Sequence, residues 1–123
     1  MPAKQKSPLV LVVEDDEGVV RTIAHVLDSH GYDVVTTTHG LAAPYLFDSV
    51  APDVVIADII MSDDADEIDF IAGLHDRSAK TKIIAISGNP HLLRLASRHG
   101  AQFTLPKPFG AGQLLALLKT ALT

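Results

Sequence analysis

Five apolar stretches recur along the chain, and each is followed by a segment whose apolar residues return every three or four positions. The first, Leu9 to Val13, reads Leu-Val-Leu-Val-Val, without the alternation of a half-exposed strand. Unbroken runs of this kind mark parallel strands covered on both faces. Residues 33–38, 53–58, 82–87 and 102–105 complete the predicted strands, and the third and fourth carry Val-Val-Ile-Ala and Ile-Ile-Ala-Ile. Between them the period lengthens. Val19, Val20, Ile23, Val26 and Leu27 predict a first helix that Gly31 ends. Residues 40–50 predict a second, with Pro44 tolerated only in its first turn. A third is built on Ile68, Phe70, Ile71 and Leu74, and a fourth opens at Pro90 and closes at Gly100. The fifth, over residues 110–122, carries Leu114, Leu115, Leu117 and Leu118.

Strict β-α alternation predicts an α/β fold: a doubly wound, five-stranded parallel sheet with helices on both faces and right-handed crossovers. In such sheets the functional crevice lies outside the carboxyl ends of the strands. Five chemically capable positions fall just past those ends: Glu14 with Asp15, Thr38, Asp58, Ser87 and Lys107. Two acids beside a central aspartate repel one another unless a cation sits among them. Their oxygens suit Mg2+, which keeps several waters and often shares a phosphate. A lysine ammonium can pair with phosphoryl oxygens, a serine hydroxyl can donate to them, and an aspartate can take a phosphoryl group covalently.

Each of these residues also has an ordinary structural use. An aspartate after a strand serves as a turn or cap residue, a lysine between prolines can be solvated, and Ser87 before Gly88 can cap a helix. Asp16 and Glu17 suit the positive end of the first helix. Chemistry is favoured because Glu14, Asp15, Asp58, Ser87 and Lys107 all fall at strand ends along one rim.

Composition narrows the setting. The 123 residues are most simply one unit, read as a tail over 1–8 and a domain over 9–123. A hydrophobic content of 47% and a mean hydropathy of +0.25 exclude a disordered chain. The net charge of -5 argues against direct binding of nucleic acid or an anionic membrane. No apolar run approaches the roughly 20 residues that span a bilayer, and residues 1–8 lack a signal-like apolar stretch. A cytoplasmic protein is the default expectation. There is no cysteine, so disulfides and thiolate metal sites are out. The six histidines are scattered over predicted helices and loops, without paired spacing near a strand end.

The chain resembles the receiver domain of two-component response regulators from Leu9 to Leu122. The matching pieces are Leu-Val-Leu-Val-Val-Glu14-Asp15-Asp16, Val-Val-Ile-Ala-Asp58-Ile-Ile-Met61, Ile-Ile-Ala-Ile-Ser87-Gly88 and Leu105-Pro106-Lys107-Pro108-Phe109. The resemblance implies a flavodoxin-like strand order, 2-1-3-4-5. It implies that Asp58 accepts a phosphoryl group from a sensor histidine kinase or a phosphotransfer protein. Glu14, Asp15, Asp58 and the carbonyl of Ile60 would hold Mg2+. Ser87 would hydrogen-bond the phosphoryl group, Lys107 would pair with its oxygens, and the Lys107–Pro108 bond would be cis. The output would be a downstream protein target, met through the fourth helix, fifth strand and fifth helix, and a homodimer through that face is a further expectation. Such a chain is not an enzyme, beyond promoting its own phosphoryl transfer and dephosphorylation. With no DNA-binding module on it, it reads as a stand-alone receiver.

Some positions depart from the family pattern. Met61-Ser62 stands where Met-Pro is common, and no glycine precedes Ile68 in the acidic stretch that follows. Thr104 occupies the place of a switching aromatic, with Phe103 one residue earlier. Ile60 and Asn89 are expected to flank the phosphoryl group. Three rivals were open to the sequence. A phosphorylation-independent interaction module would not need Glu14, Asp15, Asp58 and Lys107 together. An aspartyl hydrolase would want a second acid where Ile60 stands. A flavin module would want a glycine- or hydroxyl-rich loop where Glu14-Asp15-Asp16 repels phosphate.

Overall fold

The structure, a computed structural model, describes residues 7–59, 65–78 and 80–123, and in the helix that opens at Ala65 its side chains from Asp69 on. Five strands, β1 (Leu9–Val13), β2 (Asp33–Thr37), β3 (Val54–Asp58), β4 (Lys82–Ser87) and β5 (Phe103–Pro106), form one parallel sheet in the order β2-β1-β3-β4-β5. The helices are α1 (Glu17–Ser29), α2 (Ala43–Val50), α3 (Ala65–Arg77), α4 (Pro90–Arg98) and α5 (Ala111–Ala121). This is the doubly wound fold and the strand order expected from the alternation and the resemblance.

The central strands read as continuous apolar runs because successive side chains enter two different cores. Leu11, Val55, Ala57, Ile83 and Ala85 pack with Phe47, Ile71, Leu74, Leu93 and Ala96 of α2, α3 and α4. Their neighbours Val10, Val12, Val54, Ile56, Ile84 and Ile86 pack with Ile23, Leu27, Leu114 and Leu118 of α1 and α5. Burying a side chain of this size stabilises the fold by about 1.5–3 kcal/mol. The charged tips of β1 and β3 are therefore held on a rigid platform.

Several element ends differ from the sequence reading. The third strand begins at Val54, although Asp53 still donates its N–H to the Leu9 carbonyl at 2.8 Å and accepts the Lys82 N–H at 3.0 Å. The fifth begins at Phe103 because Gln102 offers Oε1, not its backbone, to the Ile83 N–H at 2.8 Å. The second stops at Thr37, whose hydroxyl accepts the His39 N–H. Residues 40–50 divide into a 3-10 turn, Gly40–Ala42, and α2, with Pro44 in the first turn of α2. Pro8, assigned to the tail by sequence, already gives its carbonyl to the Asp33 N–H at 2.9 Å.

α2 ends on a strained residue. Ala51 has φ +48°, and its N–H donates to the Phe47 carbonyl at 3.0 Å. An L side chain in this left-handed conformation costs about 1 kcal/mol, which glycine avoids. An Ala51→Gly protein is expected to unfold at a higher urea concentration, with a gain of about 0.5–1 kcal/mol. An unchanged or lower midpoint would show that the strain is relieved elsewhere.

Candidate functional site

At the carboxyl edge of the sheet, the tips of β1, β3 and β5 converge. The Glu14 N–H continues the ladder by donating to the Thr37 carbonyl at 3.1 Å, and the Glu14 side chain is only 1% exposed. Asp58 is the last residue of β3 and its side chain is 3% exposed. Asp15 is exposed to solvent. Oxygens of Glu14, Asp15 and Asp58 all lie within 4.8 Å of one another.

Lys107 reaches this cluster from beyond β5. Its Nζ lies 3.0 Å from Asp58 Oδ1 and 3.3 Å from Glu14 Oε2. Its backbone N–H donates to the Ser87 carbonyl at 2.9 Å, which fixes where the side chain begins, and the Lys107–Pro108 bond is cis. The other Glu14 oxygen accepts the Asp16 N–H at 3.3 Å. Asp16 itself turns away to cap α1, accepting from the N–H groups of Gly18 and Val19. Its role is the structural one that the acids at a helix start suggested.

Electrostatics follow from this crowding. Burial, and then the neighbouring Asp58 carboxylate, push Glu14 up to about 7, against the pull of Lys107 and the Asp16 N–H. Burial disfavours the Lys107 ammonium, but its contacts with Asp58 and Glu14 outweigh that and hold its pKa above the ordinary lysine value. One ammonium thus pairs with two buried carboxylates, and a third, Asp15, stands beside them. Hard oxygen donors this close, with their charge incompletely offset, are a donor set that fits Mg2+. Ile60, whose carbonyl the resemblance adds, lies outside the described residues, as does the Met61-Ser62 departure.

Ser87 is buried at the tip of β4, one residue past Ile86, the Cα partner of Asp58. Its Oγ accepts the Asn89 N–H at 3.0 Å, and among the described residues its own proton is uncommitted. The cap of α4 is Asn89, whose side chain accepts the His91 N–H at 2.9 Å. This second use of Asn89 was not drawn from the sequence, although an asparagine just before a proline-opened helix signals it. Thr38 falls one residue past the end of β2.

The register decides what Phe103 can do. It pairs with Ile84 and packs in the core beneath α1 and α5, whereas Thr104 pairs with Ala85 of the opposite core. A one-residue offset in a strand changes the face, so Phe103 does not stand in for the missing aromatic. Beside Lys107 lies a largely apolar hollow of about 550 Å³, lined by Gly18, Val19, Thr22, Ile23, Pro108 and Phe109 among others.

Comparison with known proteins agrees with this geometry. The family described as the response regulator receiver domain matches residues 10–119. The chain belongs to that family. It is 32% identical over 117 residues to the chemotaxis protein CheY of Listeria monocytogenes, covering 92% of this chain and 98% of that one. It is also 32% identical to the KDP operon transcriptional regulatory protein KdpE of Escherichia coli, covering 92% of this chain but only 50% of that protein. The chain spans about half the length of most of the curated relatives it matches. Among solved structures, Vibrio cholerae chemotaxis protein CheY4 superposes with a TM-score of 0.85 at 26% identity, over 95% of this chain and all of that one. A CheY-like receiver domain protein of Methanospirillum hungatei gives 0.87 at 19% identity, which speaks to fold alone. Receivers are signalling modules of two-component systems, not classical enzymes, and they meet histidine kinases or phosphotransfer proteins and downstream targets. Among the described residues, no helix is long and apolar enough to cross a membrane.

Proposed function

We propose that this receiver accepts a phosphoryl group on Asp58 from a sensor histidine kinase or a phosphotransfer protein, and that the acylphosphate switches a protein-binding face. The observation that carries the reading is the buried Asp58 carboxylate, which shares the Lys107 ammonium with Glu14 and lies within ligand distance of Asp15. In the transfer, an Asp58 oxygen forms a bond to phosphorus as the bond to the donor nitrogen breaks, and the departing imidazole keeps the electron pair. Lys107 stays beside the phosphoryl oxygens and offsets their charge, and the Ser87 hydroxyl can donate its proton to one of them. Glu14, Asp15 and Asp58, with the Ile60 carbonyl as the resemblance implies, would hold Mg2+, which supplies further charge neutralisation when bound. The hollow beside Lys107 gives a donor protein an apolar surface close to the acceptor.

Phosphate adds charge and acceptor oxygens, so its arrival at Ser87 can bias the β4–α4 connection and the adjoining α4–β5–α5 face. The reading includes residues 9–123 as the receiver, a cytoplasmic setting and a protein target rather than direct contact with nucleic acid. The rival interaction module draws on the Met61-Ser62 and Thr104 departures, and the acid cluster with its lysine has no use in it.

The test is intact mass after incubation with acetyl phosphate and Mg2+. A single phosphoryl adduct, removed by hydroxylamine, is expected. A protein that never gains this mass, although folded, would leave the interaction module as the better reading.

A further inference from the structure

The chain divides its charge in a way that the net value hides. All fifteen carboxylates precede residue 77, and the 47 residues from Arg77 to Thr123 hold seven Lys and Arg, two His and no acid. The formal charge of -5 resolves into -12 over residues 1–76 and +7 over residues 77–123. The fold keeps this division in space. Residues 77–123 supply β4, α4, β5 and α5, which make up one lateral side of the sheet, while β2 and β1 lie at the other.

Two of the seven cations are already engaged. Lys107 is drawn into the acid cluster, and Arg77 pairs with Asp48 at 2.6 Å. On α4 the situation differs. His91, Arg94 and Arg98 are exposed and recur at three- and four-residue spacing, so they share one side of the helix. Leu93 and Ala96 are buried against the sheet. Among the described residues, neither Arg94 nor Arg98 has a carboxylate at ion-pair distance. Half-buried Leu92 and Leu95 adjoin them.

We infer that the α4 side of the α4–β5–α5 face docks an acidic protein segment, with carboxylates meeting Arg94 and Arg98 and an apolar side chain meeting Leu95. Charge complementarity selects this occupant over the two alternatives. A symmetric dimer through the face would set each patch against its own copy, as a two-fold interface requires. Arg94, Arg98 and Lys119 would then face like charges with no carboxylate on either side to separate them. A nucleic acid is longer than the patch and carries its phosphates past it, toward the β1 and β2 side, where Asp16, Glu17, Asp28 and Asp33 are exposed. A short acidic segment stays within the basic side. The inference names the partner chemistry of the switched face, and so deepens the proposed function. The charges of Arg94 and Arg98 are the same whether or not Asp58 is phosphorylated.

The experiment is an amide NMR titration of the full chain with a 15-residue glutamate-rich peptide carrying two leucines. A peptide with lysine for glutamate and a duplex DNA of similar charge are run alongside. Shifts centred on α4, weakening about tenfold between low and moderate salt, are expected for the acidic peptide alone. The Arg94→Glu/Arg98→Glu protein is expected to lose at least tenfold in affinity, and Arg94→Gln/Arg98→Gln to lose less. Both changes are on exposed positions, and circular dichroism checks folding. Tighter binding of the DNA, shifts centred away from α4, no binding, or a two-fold dimer by sedimentation that Arg94→Glu disrupts would each overturn the inference. Phosphoryl uptake by the same variants, read by mass, separates its failure from failure of the Asp58 reading.

Discussion

An Asp58→Asn protein takes up no phosphoryl group from acetyl phosphate, and in the absence of metal at neutral pH it is more stable than the unchanged chain. The two effects have separate causes. Asparagine has no anionic oxygen to form the bond to phosphorus, so the adduct is lost entirely rather than reduced. The gain in stability comes from the crowding at the strand tips. Three carboxylates lie within 4.8 Å of one another, and two of them, Glu14 and Asp58, share the ammonium of Lys107. Neutralising Asp58 removes one repulsion while Lys107 keeps its contact with Glu14 at 3.3 Å. A gain of about 1–2 kcal/mol, read as a rise of several degrees in Tm, is expected from relief of this size. An adduct on Asp58→Asn would place the acceptor elsewhere. A loss of stability would mean that the Lys107–Asp58 pair outweighs the repulsion between acids.

Stability of the metal-free protein should also fall as pH rises through neutrality, which is the reverse of what a paired carboxylate gives. The Glu14 carboxyl, ordinarily near 4.5, is raised to about 7 by burial and by Asp58. Between those values the folded protein holds a proton that the unfolded chain has released. The slope of stability against pH is therefore negative across that window, and the loss is complete once pH passes about 7. The full shift corresponds to at most about 3 kcal/mol. Mg2+ competes for the same oxygens and stabilises only the folded state, so its stabilising effect should grow as pH rises and Glu14 gives up its proton. Thermal unfolding from about pH 5 to about pH 8, with chelator and with millimolar Mg2+, reads both effects, and Glu14→Gln should flatten the chelator curve. A chelator curve that rises over this range would show Glu14 ionised throughout.

The sequence made the scaffold readable for a specific reason. Val54 to Asp58 could be recognised as a central strand because both faces of the sheet are covered, so no polar residue interrupts it. The acids and Lys107 could be placed on one rim because parallel strands all end on the same side. Local chemistry was harder to see. Nothing in the pattern distinguished Glu14, which is buried and pushed up to about 7, from Asp15 beside it, which is exposed. That difference depends on which carboxylate the sheet turns inward. The fifth strand starts one residue later than the pattern suggests because the Gln102 side chain takes over a backbone hydrogen bond. The face occupied by Phe103 depended on a register that alternation alone leaves open by one residue.

The central claim is that acids from two strand tips and a lysine from a third surround one divalent ion. Replacing Mg2+ with trace Mn2+ and recording amide line broadening tests it directly, because paramagnetic broadening falls off steeply with distance from the ion. The account predicts broadening centred on Glu14, Asp15, Asp58 and Lys107, lost on adding excess Mg2+ and weakened in Asp58→Asn. Broadening spread over the exposed acids, or centred away from the tips of β1 and β3, would contradict it.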